Sequence, residues 1–417
     1  MSKYIINGGN TLDGTVNIHG AKNSVLPLLA ASILTDEQVI IHNCPEITDV
    51  ANMIKMLQIM GVKVRKEDSS LVIDSSALNS HIISPDLARE VRSSLFLLGP
   101  IIGRLKQGKA AYPGGCDIGL RPIDIHIKGL TELNVKIEER NGYIECDGTN
   151  IKGADLMLDY PSVGATENIM MAAVTAPGVT IIRNAAKEPE ITDLQDMLVR
   201  MGAKISGAGQ NVIYIEGVRK LHGTEFTPIP DRIVTGTFVI ACALCGGKVE
   251  IAGAEPEHIS SLLVKLSKTA CKIVINNDRI YIANNRRLKS LGYVETMPYP
   301  GFPTDLQAQT MVLESVAYGT SVIVENIFET RFKHVPELVK MGASITVKDR
   351  NAFIKGVERL YGAEVRAGDL RGGVALVLAG MKAEGVTTVS DIYHIDRGYE
   401  NLDGTLRSLG ADIIREM

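Results

Sequence analysis

The chain has 417 residues, 45% of them hydrophobic and 22% charged, so it is long enough for two domains with large cores. A formal net charge of −4 and the absence of tryptophan argue against nucleic-acid binding, and any anionic ligand must be held by local cations. We find neither the apolar core of a signal peptide nor an apolar run of about 18 residues, so we expect a cytoplasmic protein that does not enter the membrane.

A helix-like stretch followed by a strand recurs along the chain, joined by Leu/Met-Gly-Ala-x-Ile or a near variant. The copies end every 68 to 73 residues, at Val64, Ile137, Ile205, Ile273, Ile345 and Ile413. A second set of helices, apolar on nearly all sides, begins near Lys22, Arg92, Ser162, Asp231, Asp305 and Arg371. Such regularity predicts six repeated units of helix, strand, helix and strands, with the glycine at a helix C-cap.

Six units divide naturally into three and three. We predict an α/β protein of two domains, residues 21–229 and residues 1–20 with 230–417, each with helices inside and sheets outside. Two prolines, Pro228 and Pro230, mark the boundary. A strand around Tyr4 to Ile18 precedes the first helix, so we expect it to complete the last unit across the chain ends.

The six cysteines are sparse, and reduced thiols are expected. Cys242 and Cys245 form a C-x-x-C inside an apolar run, which predicts two buried thiols on one helix rather than a zinc site. The histidines lack metal-binding spacing, and neither a P-loop nor a dinucleotide fingerprint is present. We therefore expect no metal and no cofactor.

Polar residues collect at the starts of the apolar helices. Lysine and arginine are unfavourable beside the positive end of a helix unless an anion is bound there, so this pattern predicts an anion site. Ordinary helix capping is the alternative for a single residue, since Ser162 and Asp231 are good N-caps by themselves.

Residues 112–122 form a loop rich in glycine and proline, with Cys116 at its centre. We expect this thiol to be accessible, with Arg121 favouring the thiolate and Asp117 opposing it. The loop could close over a ligand, or it could carry the cysteine incidentally. A general acid or a redox-sensitive thiol is compatible with this sequence, whereas a protease nucleophile lacks a histidine partner.

Several motifs together resemble the enolpyruvyl transferase family, in the branch that acts on UDP-N-acetylglucosamine. They are GAKN at 20–23, PGGCDIG at 113–119, RPIDIH at 121–126, SVGAT at 162–166, FPTDLQAQ at 302–309 and HIDRGYE at 394–400. The resemblance covers essentially the whole chain. It implies an inside-out α/β barrel of six repeats in two domains.

The resemblance also implies a reaction of peptidoglycan (cell wall) synthesis. The 3′-hydroxyl of UDP-N-acetylglucosamine attacks C2 of phosphoenolpyruvate, C3 gains a proton, and phosphate then leaves the tetrahedral ketal. Catalytic roles fall to Cys116, Asp305, Lys22 and Arg397, with Asp305 as base and Cys116 as general acid or product-release residue. Cys116 would also form a covalent adduct with phosphoenolpyruvate, and it would react with fosfomycin.

The binding residues implied in the same way form three groups. Phosphoenolpyruvate would contact Lys22, Asn23, Arg121 and Arg397. The sugar nucleotide would contact Asn23, Arg92, Arg121, Pro122, Ile123, Asp124, Ile125, Tyr160, Ser162, Val163, Gly164, Asp305 and Ile327. Arg331 and Arg371 would support the bound anions.

One departure from the family pattern is Tyr160, at a position where some members carry lysine; a backbone or stacking contact would survive this change. Two rival functions stay open: the branch that acts on shikimate 3-phosphate, and a non-catalytic repeat scaffold or ligand-binding protein. The oligomeric state is open as well, and a monomer is compatible with the sequence.

Overall fold

The computed structural model describes residues 2–83, 92–112 and 123–416. Within them the chain forms two compact units. The terminal unit contains residues 2–19 and 230–416, and the central unit contains residues 20–83, 92–112 and 123–229. The division into two domains, residues 21–229 and residues 1–20 with 230–417, stays a prediction.

The β-strands are short and follow one another in chain order. The first two are β1 (Lys3–Asn7) and β2 (Leu12–Asn17). The central unit adds β3 (Val39–Ile41), β4 (Lys63–Glu67), β5 (Ser70–Asp74), β6 (Gln107–Ala111), β7 (Lys136–Arg140), β8 (Tyr143–Asp147), β9 (Asp155–Met157), β10 (Val179–Arg183), β11 (Lys204–Ser206), β12 (Val212–Glu216) and β13 (Thr224–Phe226). The terminal unit adds β14 (Gly247–Ala252), β15 (Lys272–Asn276), β16 (Arg279–Asn284), β17 (Tyr293–Glu295), β18 (Thr320–Val324), β19 (Ser344–Lys348), β20 (Asn351–Lys355), β21 (Glu364–Arg366), β22 (Val386–Ser390) and β23 (Asp412–Glu416).

The α-helices are of two kinds, which alternate along the chain. The apolar kind comprises α1 (Lys22–Ala31), α3 (Leu98–Leu105), α5 (Val163–Ala173), α7 (Arg232–Cys245), α9 (Gln307–Val316) and α11 (Leu370–Lys382). The second kind comprises α2 (Thr48–Ile59), α4 (Asp124–Glu132), α6 (Pro189–Arg200), α8 (Ser260–Ser267), α10 (Val335–Lys340) and α12 (Leu402–Ser408).

The strands of the described residues form six sheets with one recurring order. The central unit contains the sheets β13-β3-β5-β4, β6-β8-β7 and β11-β12-β10-β9, and the terminal unit contains β15-β16-β14-β2, β17-β18-β20-β19 and β21-β22-β1-β23. In each four-stranded sheet a strand at one edge runs parallel to its neighbour, and the other pairs are antiparallel.

The amino-terminal segment differs from the single strand expected between Tyr4 and Ile18. It forms two strands that join two different sheets. β1 lies between β22 and β23, so it completes the last sheet of the chain as predicted. β2 instead pairs in parallel with β14. Asn7-Gly8-Gly9-Asn10 separates the two strands, and Gly9 has a φ of 95°, which a residue without Cβ adopts readily.

The apolar helices are buried on all sides, as their sequences predict. Every residue of α7 and α9 is buried, and α11 is buried from Leu370 to Met381. These helices lie in the hydrophobic core of the terminal unit, whereas α1, α3 and α5 supply the core of the central unit. Burial of such helices is the main favourable contribution to folding.

The repeated glycine ends helices of the second kind. Gly61, Gly202, Gly342 and Gly410 follow α2, α6, α10 and α12 with φ between 91° and 99°. Asn134, with φ of 64°, takes this place after α4. Positive φ is what stops a helix in this motif, so the predicted C-caps are confirmed at these positions.

The cysteines within the described residues are all buried. They are Cys44, Cys146, Cys242, Cys245 and Cys271. The predicted burial of the C-x-x-C pair in α7 is confirmed, and burial raises the pKa of both thiols to about 12. Cys116 lies outside the described residues. Among the helices that the structure describes, none combines the length and apolar character needed to cross a bilayer.

Candidate functional site

The start of α1 carries a lysine that is nearly enclosed. Lys22 is 8% exposed, and its Nζ lies 2.6 Å from Oδ2 of Asp49 in α2. The preceding residue, Ala21, makes no side-chain cap, and the first turn contains no acidic residue. The start of α1 therefore combines the positive end of a helix with an ammonium group, both of which favour an anion, and the next residue, Asn23, is partly exposed.

The segment before α5 contains three of the expected sugar-nucleotide residues. Ser162 is the N-cap, and its Oγ accepts a hydrogen bond from the backbone N–H of Ala165 at 3.4 Å. Val163 and Gly164 form the first turn, and the Tyr160 side chain is 43% exposed. A Cβ on Gly164 would lie 3.1 Å from the His126 ring, so glycine allows α5 to approach α4 closely.

The start of α4 contributes the other described residues of this group. Ile123 is buried, whereas Asp124 is exposed and Ile125 is partly buried. His126, in the first turn of the helix, has its Nδ1 3.0 Å from Nδ2 of Asn168 in α5. Oδ1 of the same asparagine accepts a hydrogen bond from Gly99 N–H at 2.7 Å.

Sequence reasoning missed His126 and Asn168. Their hydrogen bonds tie α3, α4 and α5 together beneath the candidate nucleotide residues. The signal was present, because Asn168 is a polar residue inside an apolar helix and is fully buried. Buried polar side chains of this kind almost always have a specific partner.

In the terminal unit, Asp305 lies between two buried arginines. Oδ1 of Asp305 is 2.6 Å from Nη2 of Arg331, and Oδ2 is 3.2 Å from Nη2 of Arg371. Both arginines are 4% exposed, while the Asp305 side chain retains 26% exposure. Arg371 stands in the first turn of α11, and Asp305 stands in the 3₁₀ helix Thr304–Leu306 before α9. We call these three residues the Asp305 cluster.

The charges of the cluster determine the protonation of Asp305. Burial alone would raise the pKa of this carboxyl, but Arg371 and Arg331 outweigh burial and hold the pKa well below its usual range. Two guanidinium groups against one carboxylate leave the cluster with a net positive charge. Nε of Arg331 and Nη1 of Arg371 are buried donors without a hydrogen-bond partner among the described residues, which suits an incoming anion.

The capping residue of α11 positions Arg371. Oδ1 of Asp369 accepts hydrogen bonds from the backbone N–H groups of Arg371 at 2.9 Å and Gly372 at 3.0 Å. A Cβ on Gly372 would lie 2.7 Å from Oδ2 of Asp369, so the cap requires glycine there. His334 packs against the same glycine, and burial lowers the pKa of its imidazole to about 4. Sequence reasoning did not single out Asp369 or His334.

Arg397 and Ile327 lie on other segments of the terminal unit. Arg397 follows the 3₁₀ helix Ile392–His394 and is partly exposed. Burial lowers the pKa of His394, and the charge of Arg397 lowers it further. Ile327 is partly exposed, and its N–H donates to Oε1 of Glu325 at 2.9 Å. Glu325 also accepts from the hydroxyls of Thr296 and Thr304, so it orders the chain that leads to Asp305.

The structure therefore gathers the expected residues into groups within each unit. Lys22, Asn23 and the segments 123–125 and 160–164 belong to the central unit. The Asp305 cluster, Ile327 and Arg397 belong to the terminal unit. Arg92 begins the 3₁₀ helix Arg92–Leu97, and Cys116, Arg121 and Pro122 lie outside the described residues.

The geometry corrects the sequence argument in one respect. The pattern at the helix starts predicts cations that need an external anion. Lys22 and Arg371 each have a counter-charge within the chain, namely Asp49 and Asp305. Their sites can exist without a ligand, and an anion would compete with these carboxylates. Within the described ranges, no group of histidine, cysteine, aspartate or glutamate side chains has the arrangement of a metal site.

Comparison with known proteins gives consistent matches along the chain. Residues 6–406 match the family model of EPSP synthase (3-phosphoshikimate 1-carboxyvinyltransferase). A UDP-N-acetylglucosamine 1-carboxyvinyltransferase 2 of Caldanaerobacter subterraneus is 54% identical over 417 residues, covering 100% of both chains. A UDP-N-acetylglucosamine 1-carboxyvinyltransferase 1 of Symbiobacterium thermophilum is 49% identical, covering 99% of this chain and 95% of the relative.

Solved structures share the fold at lower identity. The enolpyruvyl transferase NikO from Streptomyces tendae has a TM-score of 0.89 at 24% identity, covering 99% of this chain and 98% of the other. An EPSP synthase from Acinetobacter baumannii has a TM-score of 0.76 at 17% identity, covering 100% of both chains. At these identities the likeness concerns the fold alone.

Proposed function

Because the chain belongs to the EPSP synthase family of enolpyruvyl transferases, and within it to the UDP-N-acetylglucosamine 1-carboxyvinyltransferases, we propose that it transfers the enolpyruvyl group of phosphoenolpyruvate to the 3′-hydroxyl of UDP-N-acetylglucosamine. Phosphate is released, and the product enters peptidoglycan synthesis. The observation that carries this function is the 54% identity with a relative of that name over the full length of both chains. The predicted family and the prediction of an enzyme are confirmed.

The two rival functions are less well supported. The relatives at 46–54% identity carry the sugar-nucleotide name, whereas the EPSP synthase structure is 17% identical. The match to enzymes of this name over the full chain also disfavours a non-catalytic scaffold. The sugar-nucleotide enzyme therefore remains the preferred function.

Phosphoenolpyruvate is a small, highly charged anion, and its binding falls to cations. We assign Lys22 and Asn23 at the start of α1, with Arg121 and Arg397, to this substrate. Lys22 suits the role because it is nearly enclosed and is the first residue of α1, where the positive end of the helix favours an anion. Arg331 and Arg371 would support the anions with their unpartnered buried donors.

Asp305 is proposed to accept the proton of the 3′-hydroxyl as that oxygen bonds to C2. With both arginines in contact it is a weak base. An anionic substrate competes for the two guanidinium groups, and each contact transferred to the substrate strengthens Asp305 as a base. C3 gains a proton, for which Cys116 is the proposed donor. The C3 methyl group of the ketal then loses a proton as the bond from C2 to the phosphate oxygen breaks, which releases phosphate.

The sugar nucleotide is assigned to Asn23, Ile123–Ile125, Tyr160, Ser162–Gly164, Asp305 and Ile327, together with Arg92, Arg121 and Pro122. Support comes from the starts of α4 and α5, which the Asn168 hydrogen bonds hold together. Tyr160 offers an exposed ring for stacking on the base or ribose.

The architecture is proposed to be an inside-out α/β barrel of six repeats in two domains, residues 21–229 and residues 1–20 with 230–417. It is supported by the recurring sheet order and by the helices that are buried on all sides. We also propose a cytoplasmic enzyme that needs neither a cofactor nor a metal and binds neither nucleic acid nor membrane; its oligomeric state is left open, and a monomer is compatible with the sequence.

Phosphate release tests the function directly. The purified protein is incubated with phosphoenolpyruvate alone, with UDP-N-acetylglucosamine, or with shikimate 3-phosphate. We expect release with the sugar nucleotide only. Release with shikimate 3-phosphate but not with the sugar nucleotide would overturn the assignment.

A further inference from the structure

Asp193 of α6 is a buried carboxyl group that joins two distant parts of the central unit. It is 3% exposed, and its Oδ2 accepts two hydrogen bonds. One comes from the hydroxyl of Ser24 in the first turn of α1. The other comes from the backbone N–H of Ile229 at 3.2 Å. Ile229 is the last residue of the central unit before the chain enters the terminal unit.

Backbone hydrogen bonds close this connection into a ring. Ala21 N–H donates to the carbonyl of Ile229 at 2.8 Å. The carbonyl of Ala21 in turn accepts from the N–H groups of Ser24 at 3.0 Å and Val25 at 2.8 Å. A displacement of the chain at Ile229 is therefore transmitted to the first turn of α1, which contains Lys22.

The environment of Asp193 shows that it needs an acceptor oxygen more than a charge. Burial raises the pKa of this carboxyl to about 7, although the hydrogen bonds from Ser24 and Ile229 lower it. Both hydrogen bonds end on the same oxygen, Oδ2, so the contacts that this side chain makes require an acceptor oxygen. A neutral side chain with an oxygen at this place should do the same.

We propose that Asp193 is a positioning residue, which fixes the first turn of α1, and with it Lys22 and Asn23, against the segment where the chain leaves the central unit. The inference rests on the proposed function only in that Lys22 and Asn23 bind phosphoenolpyruvate. The expected consequence is unequal: the affinity for phosphoenolpyruvate depends on Asp193 through both Lys22 and Asn23, whereas the affinity for the sugar nucleotide depends on it through Asn23 alone and should change less.

The test compares Asp193→Ala and Asp193→Asn with Asp196→Ala, a control at an exposed position of the same helix. Hydrogen exchange is measured without substrates, and KM is measured for each substrate. Asp193→Ala should accelerate exchange at residues 21–25 and 229 and raise KM for phosphoenolpyruvate by about tenfold, since two buried hydrogen bonds are lost. KM for UDP-N-acetylglucosamine should change less than about twofold, and Asp193→Asn and Asp196→Ala should resemble the unmodified protein.

The proposal is overturned if Asp193→Ala leaves exchange at these residues unchanged, accelerates it throughout the central unit, or raises both KM values equally. It is also overturned if Asp193→Asn is as damaging as Asp193→Ala. If Asp193→Ala does not fold, Ser24→Ala serves in its place, because it removes the hydroxyl that donates to Asp193. This variant must then accelerate hydrogen exchange at residues 21–25. Because exchange needs no substrate, failure of the proposed function shows separately, as absence of phosphate release.

Discussion

Replacing Asp305 by asparagine should destabilise the terminal unit through the arginines that it contacts. The substitution keeps the shape of the side chain and removes its charge. Arg331 and Arg371 are each 4% exposed, so their charges would be left in a poorly solvated position. Removing one partner of a buried ion pair costs about 3–5 kcal/mol, and the 26% exposure of the Asp305 side chain reduces our expectation to about 2–3 kcal/mol.

That loss corresponds to a fall in Tm of roughly 5–10 °C for a unit of this size. A matched control is Glu329→Gln, which neutralises the exposed partner of Arg350 in the same unit at 2.9 Å. An exposed pair contributes about 0–1 kcal/mol, so the control should barely shift Tm. Both variants are compared by calorimetry with and without inorganic phosphate.

Phosphate distinguishes this explanation from general damage. An anion can replace the missing carboxylate, so added phosphate should raise the Tm of Asp305→Asn more than that of the unmodified protein. The activity lost with the carboxylate should not return. A Tm equal to that of the control, or the same response to phosphate in both proteins, would refute the reasoning about uncompensated arginines.

Three further predictions concern other residues of the site. Lys22→Met should abolish phosphate release, and it should lower Tm because Asp49 loses its partner. Adding Asp49→Asn should restore Tm but not activity, so a double variant no more stable than Lys22→Met would contradict this explanation. Burial lowers the pKa of His334 from its ordinary value of 6.5 to about 4, so the neutral imidazole stabilises the folded protein above pH 6.5, and this stabilisation is lost as the pH falls towards 4. In His334→Phe, the free energy of unfolding measured by denaturant titration should therefore depend less on pH between 6.5 and 4. Fosfomycin should modify Cys116 alone, since the described cysteines are buried and their pKa values are raised to about 11–12. Mass spectrometry of the treated protein maps the adduct, and an adduct at any of the buried cysteines would contradict the prediction.

Features that depend on nearby residues could be predicted from the sequence. The glycine after a helix and the alternation of the strand that follows are local patterns, and they revealed the repeat. Burial of α7 and α11 followed from helices without a polar face. Ser162 and Asp231 are N-caps, as their residue types suggest.

Features that depend on distant partners were missed. Asp305 meets Arg331 and Arg371 from segments 26 and 66 residues further along the chain, and no local pattern pairs them. The turn at Asn7–Asn10 was readable as a break between strands, but the sheets that receive β1 and β2 are formed by residues far away in sequence. Tertiary contacts decide these arrangements.

The position of β1 also bears on how the protein reaches its native state. β1 is synthesised before the rest of the terminal unit, yet its neighbours β22 and β23 begin only at Val386 and Asp412, and Lys3 pairs with Glu416. The terminal unit therefore cannot close this sheet until β22 and β23 have been synthesised, whereas the described residues of the central unit all lie between β2 and α7 in the chain. In the nascent chain, β1 is an unpaired strand with Tyr4 and Ile6 uncovered, which makes it a natural binding segment for chaperones.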